Sequence, residues 1–591
     1  MMRAFFLLLF FIFPVRVLPS QVWIEAESFN EKGGWIIDSQ FIDQMGSAYL
    51  MAHGLGEPVE SAKTQVLFQE KGLYHIWIRT KDWAPSPKGS AGQFRLAING
   101  NILPKTMGRD GDTSWHWEYV GEIEIEQSVV NIELVDLTGF NGRVDALYFS
   151  KENQSPPNSK DGLECYRNRL LRIGDHNDVG NFDVVVVGGG IAGMCAAIQA
   201  SRLGLKVALV QNRPVLGGNS SSEVRLPMEG ALDRNLYPRL GRIVSELNSG
   251  HIANSTEDQR RESLIRREKN ISLFLSMHVY SVEKEGNRIK AVLAKDVETN
   301  RIYRFNSLLF VDSTGDANLG VLSGAIYRSG RESRMETKEP KAPLIEDSLT
   351  MGTSNNWYAK CEDYASDFPC CPWAIQFSEE YHMNNTHSEW FWETGFYQDK
   401  VALAEEIRDY NFKLIYGHWA YLKNKKKKDF ANWKLDWVAY VAGKRESRRL
   451  MGDVVLSELD INDKVEYPDA CVTTTWGIDL HYPDSVNSRF FPNAEFLAFA
   501  DHDRDFEPYH IPYRCLYSRN IDNLFMAGRN ISVTHVALGT VRVMQTTGMM
   551  GEVVGLASFL CKKYNCVPRD IYSSHLSELK NLLSSEFDAF E

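Results

Sequence analysis

The chain has 591 residues, of which 43% are hydrophobic, with 65 basic and 77 acidic side chains and a formal net charge of -12. This length exceeds what one hydrophobic core usually holds, so at least two domains are expected, and the acidic balance argues against a nucleic-acid partner. Nine cysteines without a CxxC pair disfavour an iron–sulfur cluster.

The first 20 residues have the layout of a secretory signal peptide. Arg3 precedes an apolar run from Ala4 to Pro14, and small or helix-breaking residues follow up to Ser20. The apolar run is short for a membrane span, and no later segment approaches about 18 uninterrupted apolar residues. The sequence therefore predicts a secreted or extracytoplasmic protein without a stable membrane span.

Residues 21–150 show short alternating runs such as YHIWIRT, QFRLAI and NIELVDL, separated by clusters of glycine, proline and asparagine. This pattern predicts a β-sandwich. The start, VWIEAESF, and the end, GRVDALYFS, resemble the first and last strands of carbohydrate-binding sandwich modules. The resemblance implies a structural calcium ion held by Glu25, Glu27 and Asp145, because hard carboxylate oxygens suit that ion. Surface acids on strand edges are the alternative.

Four tryptophans of the predicted sandwich, Trp77, Trp83, Trp115 and Trp117, are candidates for stacking on sugar rings. Aromatic residues in small sandwiches also build the core, so both interpretations stay open. The segment 151–180 contains ENQSPPNSKDG, a composition typical of a linker between domains.

A glycine turn follows the linker. The β-branched run from Phe182 to Val187 predicts a buried parallel strand, and Gly188, Gly190 and Gly193 form GxGxxG. A helix from Met194 to Leu203 and a second strand, KVALV, complete a dinucleotide-binding unit. In such a unit the glycines permit a tight turn, a close approach of backbone to pyrophosphate, and close packing of helix on strand.

The residue that usually accepts a hydrogen bond from the adenosine ribose is not acidic in this chain. Gln211 stands after the second strand, where Asp or Glu is normal, and Asn212 and Arg213 follow. A glutamine carbonyl can accept the same hydrogen bond without charge assistance. Arg213 leaves open the alternative that a 2′-phosphate, and hence NADP, is bound.

Four further segments occur in a fixed order: RPVLGGNSSSEVR, LLFVDSTGDANLG, GKRESRRLMGDVVLSELDI, and NLFMAGRNISVTHVALGTVRVMQTTGMMGEVVG. Together they resemble a family of FAD-dependent oxidoreductases that is distantly similar to the flavoprotein subunit of heterodisulfide reductases. The resemblance implies FAD as the cofactor. It implies that the cofactor contacts are Gly188, Gly190, Ile191, Ala192, Gly193, Gln211, Asn212, Gly217, Gly218, Asn219, Thr314, Gly315, Asp316, Gly528, Arg529 and Gly548.

The predicted fold is multidomain, with an N-terminal β-sandwich followed by an α/β Rossmann-like FAD-binding domain. That domain comprises residues 181–331 and 515–591, and a substrate or cap domain, residues 332–514, is inserted into it. The segment GKRESRR is expected to be helical.

A flavin takes hydride from a C–H bond, so a protein group must take the proton of the attached O–H or N–H. His535 is the first candidate because it is closest in sequence to the flavin-binding strand, and His481 and His510 lie in the predicted cap. Arg542 is expected to stabilise reduced flavin or to bind a substrate oxygen, and Arg448 is a further candidate.

The sequence thus predicts a secreted FAD-dependent oxidoreductase that acts on an alcohol or amine, with a carbohydrate or glycoside favoured as the substrate. One alternative is a glycan-binding protein with a vestigial flavin domain. Another is an NADPH-driven flavin reductase.

Overall fold

A computed structural model describes residues 20–250, 254–388, 392–503 and 506–585. The predicted signal peptide, apart from Ser20, lies outside these residues. The multidomain architecture is confirmed: a β-sandwich precedes a Rossmann-like domain. Within the described ranges, none of the helices combines the length and the apolar character needed to span a bilayer.

The N-terminal region is a sandwich built from three small antiparallel sheets, with strand orders β1-β11-β5-β8, β10-β3-β2 and β4-β9-β6-β7. Alternating residues point into one core, as the period-two pattern predicts. The elements are β1 Gln21–Glu25, β2 Trp35–Asp38, α1 Ile42–Met45, β3 Tyr49–Ala52, β4 Ala62–Leu67, β5 Gly72–Thr80, β6 Phe94–Ile98, β7 Asn101–Ile102, β8 His116–Ile125, β9 Val129–Asp136, β10 Gly142–Val144, β11 Ala146–Ser150 and α2 Lys160–Leu171.

The next segment begins the α/β domain. Its elements are β12 Asn177–Val187, α3 Ile191–Arg202, β13 Val207–Val210, α4 Arg242–Leu247, α5 Ser255–Arg267, β14 Ile271–Phe274, β15 Met277–Glu285, β16 Arg288–Asp296, β17 Ile302–Asp312 and α6 Asn318–Ser323.

A long insertion follows, in which short antiparallel strand pairs surround one long helix, α8. Its elements are β18 Tyr327–Arg328, α7 Arg334–Thr337, β19 Thr353–Ser354, β20 Trp357–Cys361, α8 Ala404–Lys425, α9 Lys427–Phe430, β21 Trp433–Val438, β22 Gly443–Lys444, β23 Arg449–Leu450, α10 Glu458–Asn462, β24 Ala470–Thr474, β25 Asp479–Pro483, α11 Ser485–Phe490, β26 Ala498–His502 and β27 Tyr509–Pro512.

The chain then returns to the α/β domain with β28 Leu524–Met526, α12 His535–Val541, α13 Met544–Tyr564, α14 Pro568–Ser574 and α15 Leu576–Ser584. The main sheet has the order β14-β13-β12-β17-β16-β15, and β28 pairs with β17. The strands β14, β13, β12, β17 and β28 run parallel, so their carboxyl ends meet at one edge. Ligands of open α/β sheets bind at this edge.

The segment predicted as a linker, residues 151–180, is largely structured. It contains helix α2, which packs on the outer face of the sandwich through Leu163, and β12 begins within it, at Asn177. The segment therefore contains regular structure, and its assignment as the linker between domains stays a prediction. Pro and Ser are common in turns, and the turn before α2 accounts for the composition of this segment. Composition alone does not show that one face of α2 is buried. The other domain boundaries stay predictions.

Three acidic residues predicted as calcium ligands are buried in the sandwich: Glu25, Glu27 and Asp145 are at most 3% exposed, so the surface alternative is wrong. Two guanidinium groups face them. Arg79 Nη1 lies 2.8 Å from Asp145, and Arg167 on α2 lies 2.5 Å from Glu25. Burial raises the pKa of Glu25 to about 7. The arginines balance part of the charge that calcium would balance, and calcium binding stays a prediction.

The sandwich is joined to the insertion by a buried ion network. Arg143 on β10 forms a bidentate pair with Asp409 on α8, with Nη–Oδ distances of 2.9 and 2.5 Å, and lies 2.7 Å from Glu405. Arg408 of the same helix pairs with Asp38 of the sandwich, and both side chains are completely buried. The two regions also share one hydrophobic core. The sandwich therefore packs firmly against the insertion.

The tryptophans proposed for sugar stacking make contacts within the protein. Trp83 donates from Nε1 to the carbonyl of Phe140 at 2.9 Å, and Trp115 donates to Glu405 at 3.1 Å. Trp77 packs on Tyr119, and Trp117 packs on Trp23. These contacts favour the structural interpretation of the four rings.

Acid should weaken the junction between sandwich and insertion. Burial alone would raise the pKa of Glu405, but the charges of Lys81, Arg143 and Arg408 hold this pKa at about 2. A folded-state pKa below the unfolded value contributes stability above the unfolded pKa, and this contribution is lost as the pH falls through the folded pKa. We expect the melting temperature to drop as the pH falls from about 4.5 to about 2, with a smaller drop in Glu405→Gln. An identical acid response of the two proteins would contradict this assignment.

Candidate functional site

A cavity of about 900 Å³ lies at the carboxyl edge of the parallel strands and continues beneath the insertion. Its volume is at the upper end of small-molecule sites, which span about 300 to 1,000 Å³. Most of the predicted cofactor contacts line it. They are Gly188, Gly190, Ile191, Ala192, Gln211, Asn212, Gly217, Gly218, Asn219, Thr314, Gly315, Asp316, Gly528 and Arg529.

The glycine turn joins β12 to α3 and forms one wall of the cavity. Gly188 has φ of +103°, and a Cβ there would lie 2.3 Å from the carbonyl oxygen of Ser313, so this position requires glycine. A Cβ on Gly190 would meet nothing within 4 Å, although the residue lines the cavity. Helix α3 begins at the next residue, so its positive end faces the space that Gly190 leaves open.

Two of the predicted cofactor glycines do not line the cavity. A Cβ on Gly193 would lie 1.9 Å from the carbonyl oxygen of Gly188, which is the predicted close packing of helix and turn. Gly548 lies on α13, where a Cβ would meet Val244 at 2.5 Å and Ile191 at 3.1 Å. Gly548 thus allows α13 to pack closely on its neighbours, and its contact with the cofactor stays a prediction.

The side chains of Gln211 and Arg213 bind other groups of the protein. The Gln211 carbonyl accepts from the backbone N–H of Gly189 at 2.8 Å, and its amide donates to the Val215 carbonyl at 3.1 Å. Gln211 thus holds the glycine turn in place. The Arg213 guanidinium is 7% exposed and donates to both oxygens of Glu223, at 3.0 and 2.7 Å. Because the guanidinium also donates to neighbouring hydroxyls, it has little capacity left for a 2′-phosphate.

Asp316 anchors the loop after β17. Its carboxylate lies 2.7 Å from Lys444 Nζ and 2.9 Å from Arg529, and it accepts from the Ser447 hydroxyl at 2.7 Å. Burial opposes its ionisation, but the charges of Lys444 and Arg529 hold the pKa of Asp316 well below its usual range. The loop therefore carries a fixed carboxylate at the cavity wall, held by residues from two distant segments.

A histidine with carboxylates at both ring nitrogens lines the far part of the cavity. His481, on β25, places Nδ1 against Glu393 Oε1. Its Nε2 lies 3.3 Å from Asp479 Oδ1. A carboxylate only accepts, so the contact with Glu393 places a proton on Nδ1. Nε2 faces the second carboxylate, Asp479, which also lines the cavity, so the ring is held between two carboxylates.

Arginines balance the charge of both carboxylates. Asp479 lies 2.8 Å from Arg542, and Glu393 lies 3.4 Å from Arg445. Burial opposes the ionisation of Asp479, but a hydrogen bond from His481 and the charge of Arg542 hold its pKa well below the usual range. The charges of Arg445 and His481 likewise lower the pKa of the buried Glu393. Both carboxylates therefore stay ionised beside the imidazole.

An aromatic surface lies next to this group. The rings of Trp476 and His502 stack with centroids 5.3 Å apart and an interplanar angle of 20°, and both residues line the cavity. Asp479 and Arg542 line the same cavity, so a bound molecule meets both the aromatic surface and charged groups.

Two predicted catalytic histidines lie away from the cavity. His535 is 1% exposed and binds Glu446, with Nδ1–Oε distances of 2.9 and 3.1 Å. It begins α12 and is covered by the insertion. His510, on β27, contacts the Thr473 hydroxyl at 3.0 Å. Neither residue lines the cavity, so the assignment of His535 or His510 as the proton acceptor is not supported. Closeness in sequence to the flavin-binding strand therefore does not place His535 at the cavity.

The two arginine candidates, Arg542 and Arg448, lie in different places relative to the cavity. Arg542 lines the cavity as predicted, whereas Arg448 donates to the carbonyl of Asp316 at 2.7 Å and to Asn318, and does not line the cavity. The segment that contains Arg448 is extended between β22 and β23, so the predicted helix is wrong. Its side chains are used to brace the loop after β17 and the core beside it.

Sequence reasoning missed most of the cavity wall that the insertion provides. Asp479, His502, Lys444 and Arg445 line the cavity but are not among the site residues that the sequence predicts. The signal available was the pairing of an acidic residue with a histidine two positions later in DLH, on a strand that places both on one face.

The cavity fits a dinucleotide cofactor. Gly190 leaves space beside the N-terminus of α3, and the buried Nε groups of Arg529 and Arg542 have no hydrogen-bond partner among the described residues. Donors directed at an acceptor outside the chain are expected where a ligand with phosphate, hydroxyl and ring carbonyl oxygens binds.

Comparison with known proteins gives short or distant matches for the chain as a whole. It is 51% identical over 47 residues to the soluble pyridine nucleotide transhydrogenase of Ectopseudomonas mendocina (strain ymp), covering 8% of this chain and 10% of that protein. The match thus spans about a tenth of the length of this curated relative.

Two solved structures are similar to different parts of the chain. A geranylgeranyl bacteriochlorophyll reductase-like protein from Thermoplasma acidophilum is 10% identical with a TM-score of 0.31, covering 70% of this chain and 85% of its own. A family 35 carbohydrate binding module from Clostridium thermocellum is 20% identical with a TM-score of 0.19, covering 22% of this chain and 97% of its own.

The sequence model of one family, described as FAD dependent oxidoreductase, matches residues 183–583. This range begins inside β12 and includes the glycine turn, the loop after β17, the insertion with His481, and the closing helices. Because the match covers well over half of the chain, the protein belongs to the FAD dependent oxidoreductase family.

Proposed function

We propose that the protein is an extracytoplasmic FAD-dependent oxidoreductase that oxidises a hydroxyl- or amine-bearing carbon of a polyhydroxylated, carbohydrate-like substrate. One observation carries the proposal: a single cavity joins the glycine turn to His481 and its carboxylates. The extracytoplasmic part of the proposal rests on the predicted signal peptide.

Bound FAD supplies the hydride acceptor for the reaction. The chain supplies proton transfer and orientation. The pair formed by His481 Nε2 and Asp479, 3.3 Å apart, accepts the substrate proton, while Glu393 fixes the ring through Nδ1. The charges of the two carboxylates stabilise the imidazolium. Arg542 holds Asp479 in place at 2.8 Å and offers its Nε to a substrate or cofactor oxygen.

The cavity wall supports a sugar-like substrate. A sugar ring has an apolar face of C–H groups and an equatorial rim of hydroxyls. The stacked rings of Trp476 and His502 offer a surface for the apolar face. Hydrogen-bond acceptors and donors for the hydroxyls are offered by Asp479, His481 and Arg542. The substrate specificity is thus proposed to reside in the insertion, with no requirement for sugar binding by the sandwich.

The two alternatives are less well supported. A glycan-binding protein with a vestigial flavin domain has no need for a buried His481 between two ionised carboxylates. An NADPH-driven reductase lacks support from Arg213, since Glu223 occupies its guanidinium.

The experiment is a spectrum of the protein as isolated, followed by anaerobic addition of sugars, polyols and amino sugars and, separately, NADPH. We expect a flavin spectrum that bleaches with at least one polyhydroxylated compound and not with NADPH. Bleaching by NADPH alone would support the reductase, and a colourless protein that cannot be loaded with FAD would refute both enzyme proposals.

Replacing Gly190 tests the position of the cofactor without damaging the fold. In Gly190→Val the new side chain extends into space where nothing of the protein lies within 4 Å of Cβ. We expect a melting temperature near that of the apoprotein and a loss of bound FAD, measured by flavin absorbance after gel filtration. As a matched comparison, Gly193→Ala should lower the melting temperature, because its Cβ would collide with the Gly188 carbonyl at 1.9 Å. Full FAD content in Gly190→Val would contradict this placement.

A further inference from the structure

A second group of chemically active side chains lies in the sandwich, apart from the cavity. Asp110, His116 and Glu118 each offer one ligand atom, and these atoms all lie within 4.8 Å of one another. Asp110 belongs to the loop between β7 and β8, and the other two residues begin β8. None of them lines the cavity, and the proposed reaction does not use them.

The contacts of His116 direct one ring nitrogen at a carboxylate. Nδ1 lies 3.0 Å from the carbonyl oxygen of Ser114, which only accepts, so Nδ1 carries a proton. Nε2 lies 2.7 Å from Asp110 Oδ2. In the neutral tautomer the Nε2 lone pair therefore faces a carboxylate oxygen. That arrangement is unfavourable unless a cation, either a proton or a metal ion, lies between the two atoms.

Glu118 adds a buried carboxylate to the same point. Its side chain is 6% exposed. Oε1 lies 3.0 Å from Lys105 Nζ, an ammonium on a side chain that is 42% exposed. Oε2 accepts a long hydrogen bond of 3.4 Å from Gly108. A buried charge is thus compensated by one mobile surface cation, although a buried carboxylate normally requires several close donors.

We propose that Asp110, His116 and Glu118 bind a zinc ion. One imidazole nitrogen and two carboxylate oxygens are ligands that zinc accepts, with water as the fourth ligand of a tetrahedral site. The Ser114 carbonyl fixes the tautomer that presents Nε2, as hydrogen-bond acceptors behind metal-binding histidines commonly do. Calcium fits less well, because it selects oxygen ligands. Lys105 occupies the position of a competing cation.

The site would fix a loop that the sandwich uses to hold the insertion. Trp115 lies directly before His116 and donates to Glu405 on α8 at 3.1 Å. The backbone of Asp112, two residues after Asp110, accepts from the Asp82 N–H at 2.9 Å. Zinc would thus connect both ends of this loop and stabilise the junction between sandwich and α8.

The test is direct measurement of zinc on the full-length protein. Protein treated with a chelator is dialysed against zinc, and bound metal is counted by elemental mass spectrometry. We expect one zinc ion per chain and a higher melting temperature in its presence. Cobalt should replace zinc and give visible absorption bands of a tetrahedral site. Chelator-treated wild-type protein that takes up neither metal would overturn the proposal.

Variants separate this site from adventitious binding. Asp110→Asn changes an exposed residue, so the fold should be kept, and both it and His116→Ala are expected to lose the zinc. His75→Ala, a histidine of the neighbouring strand β5, is the control and should retain it. Lys105→Ala removes the competing ammonium and should bind zinc at least as tightly as wild type. Equal zinc in Asp110→Asn and wild type, or loss of zinc in Lys105→Ala, would overturn the assignment.

Discussion

His481→Gln is expected to retain FAD and the fold but to be reduced by substrate about 10² to 10⁴ times more slowly than wild type, the range that general base catalysis usually contributes. The glutamine amide can still donate to Glu393 in place of Nδ1, so the buried carboxylate keeps a partner. What is lost is Nε2, the ring nitrogen that faces Asp479 and shares the proton with it. The measurement is stopped-flow anaerobic reduction of the flavin with the best substrate of the panel.

The controls distinguish proton transfer from general damage. His510→Gln alters a histidine bonded to Thr473 away from the cavity, and its reduction rate should stay close to wild type. His535→Gln removes one of the partners of the buried Glu446, so we expect a lower melting temperature. In His481→Ala, added imidazole should restore part of the rate. A near-normal rate in His481→Gln together with a large loss in either control would return the catalytic assignment to the sequence-based candidates.

The flavin-binding half of the site was predictable from sequence because it depends on local backbone geometry. Gly188 needs a positive φ and Gly190 needs an empty Cβ position, and both requirements leave a mark in the sequence at fixed spacing within one strand–turn–helix unit. The same reasoning does not separate Gly548, which packs α13 closely on Val244 and Ile191, from the glycines that line the cavity. A glycine that lets two helices approach closely leaves the same letter in the sequence as a glycine that contacts a cofactor.

The catalytic half was poorly predictable because its members come from distant segments. Glu393 and His481 are 88 positions apart and meet only through the packing of the insertion. Sequence distance favoured His535, yet its imidazole points into a buried ion network with Glu446. The sequence does not show that the side chains of Gln211 and Arg213 bind other groups of the protein, because only the fold brings these partners together.

The junction between the sandwich and α8 predicts the second large effect, on stability. Arg143→Met should destabilise the protein by about 3 to 5 kcal/mol, because it leaves the buried carboxylate of Asp409 without its bidentate partner. The measurement is urea unfolding followed by tryptophan fluorescence and by flavin release. A matched surface variant, Arg569→Ala, breaks the half-exposed pair with Asp453 and should cost no more than about 1 kcal/mol.

The same junction predicts that sandwich and insertion unfold together. Residues from both regions form one core, so wild type should show coincident transitions by fluorescence and flavin release, and Arg143→Met should shift both. The double variant Arg143→Met/Asp409→Leu should recover much of the loss, because replacing both partners of a buried pair removes the unpaired charge. If the sandwich instead unfolds in a separate transition, and Arg143→Met leaves flavin release unchanged, then it is an independent module. In that case the buried ion network does not couple it to the flavin domain.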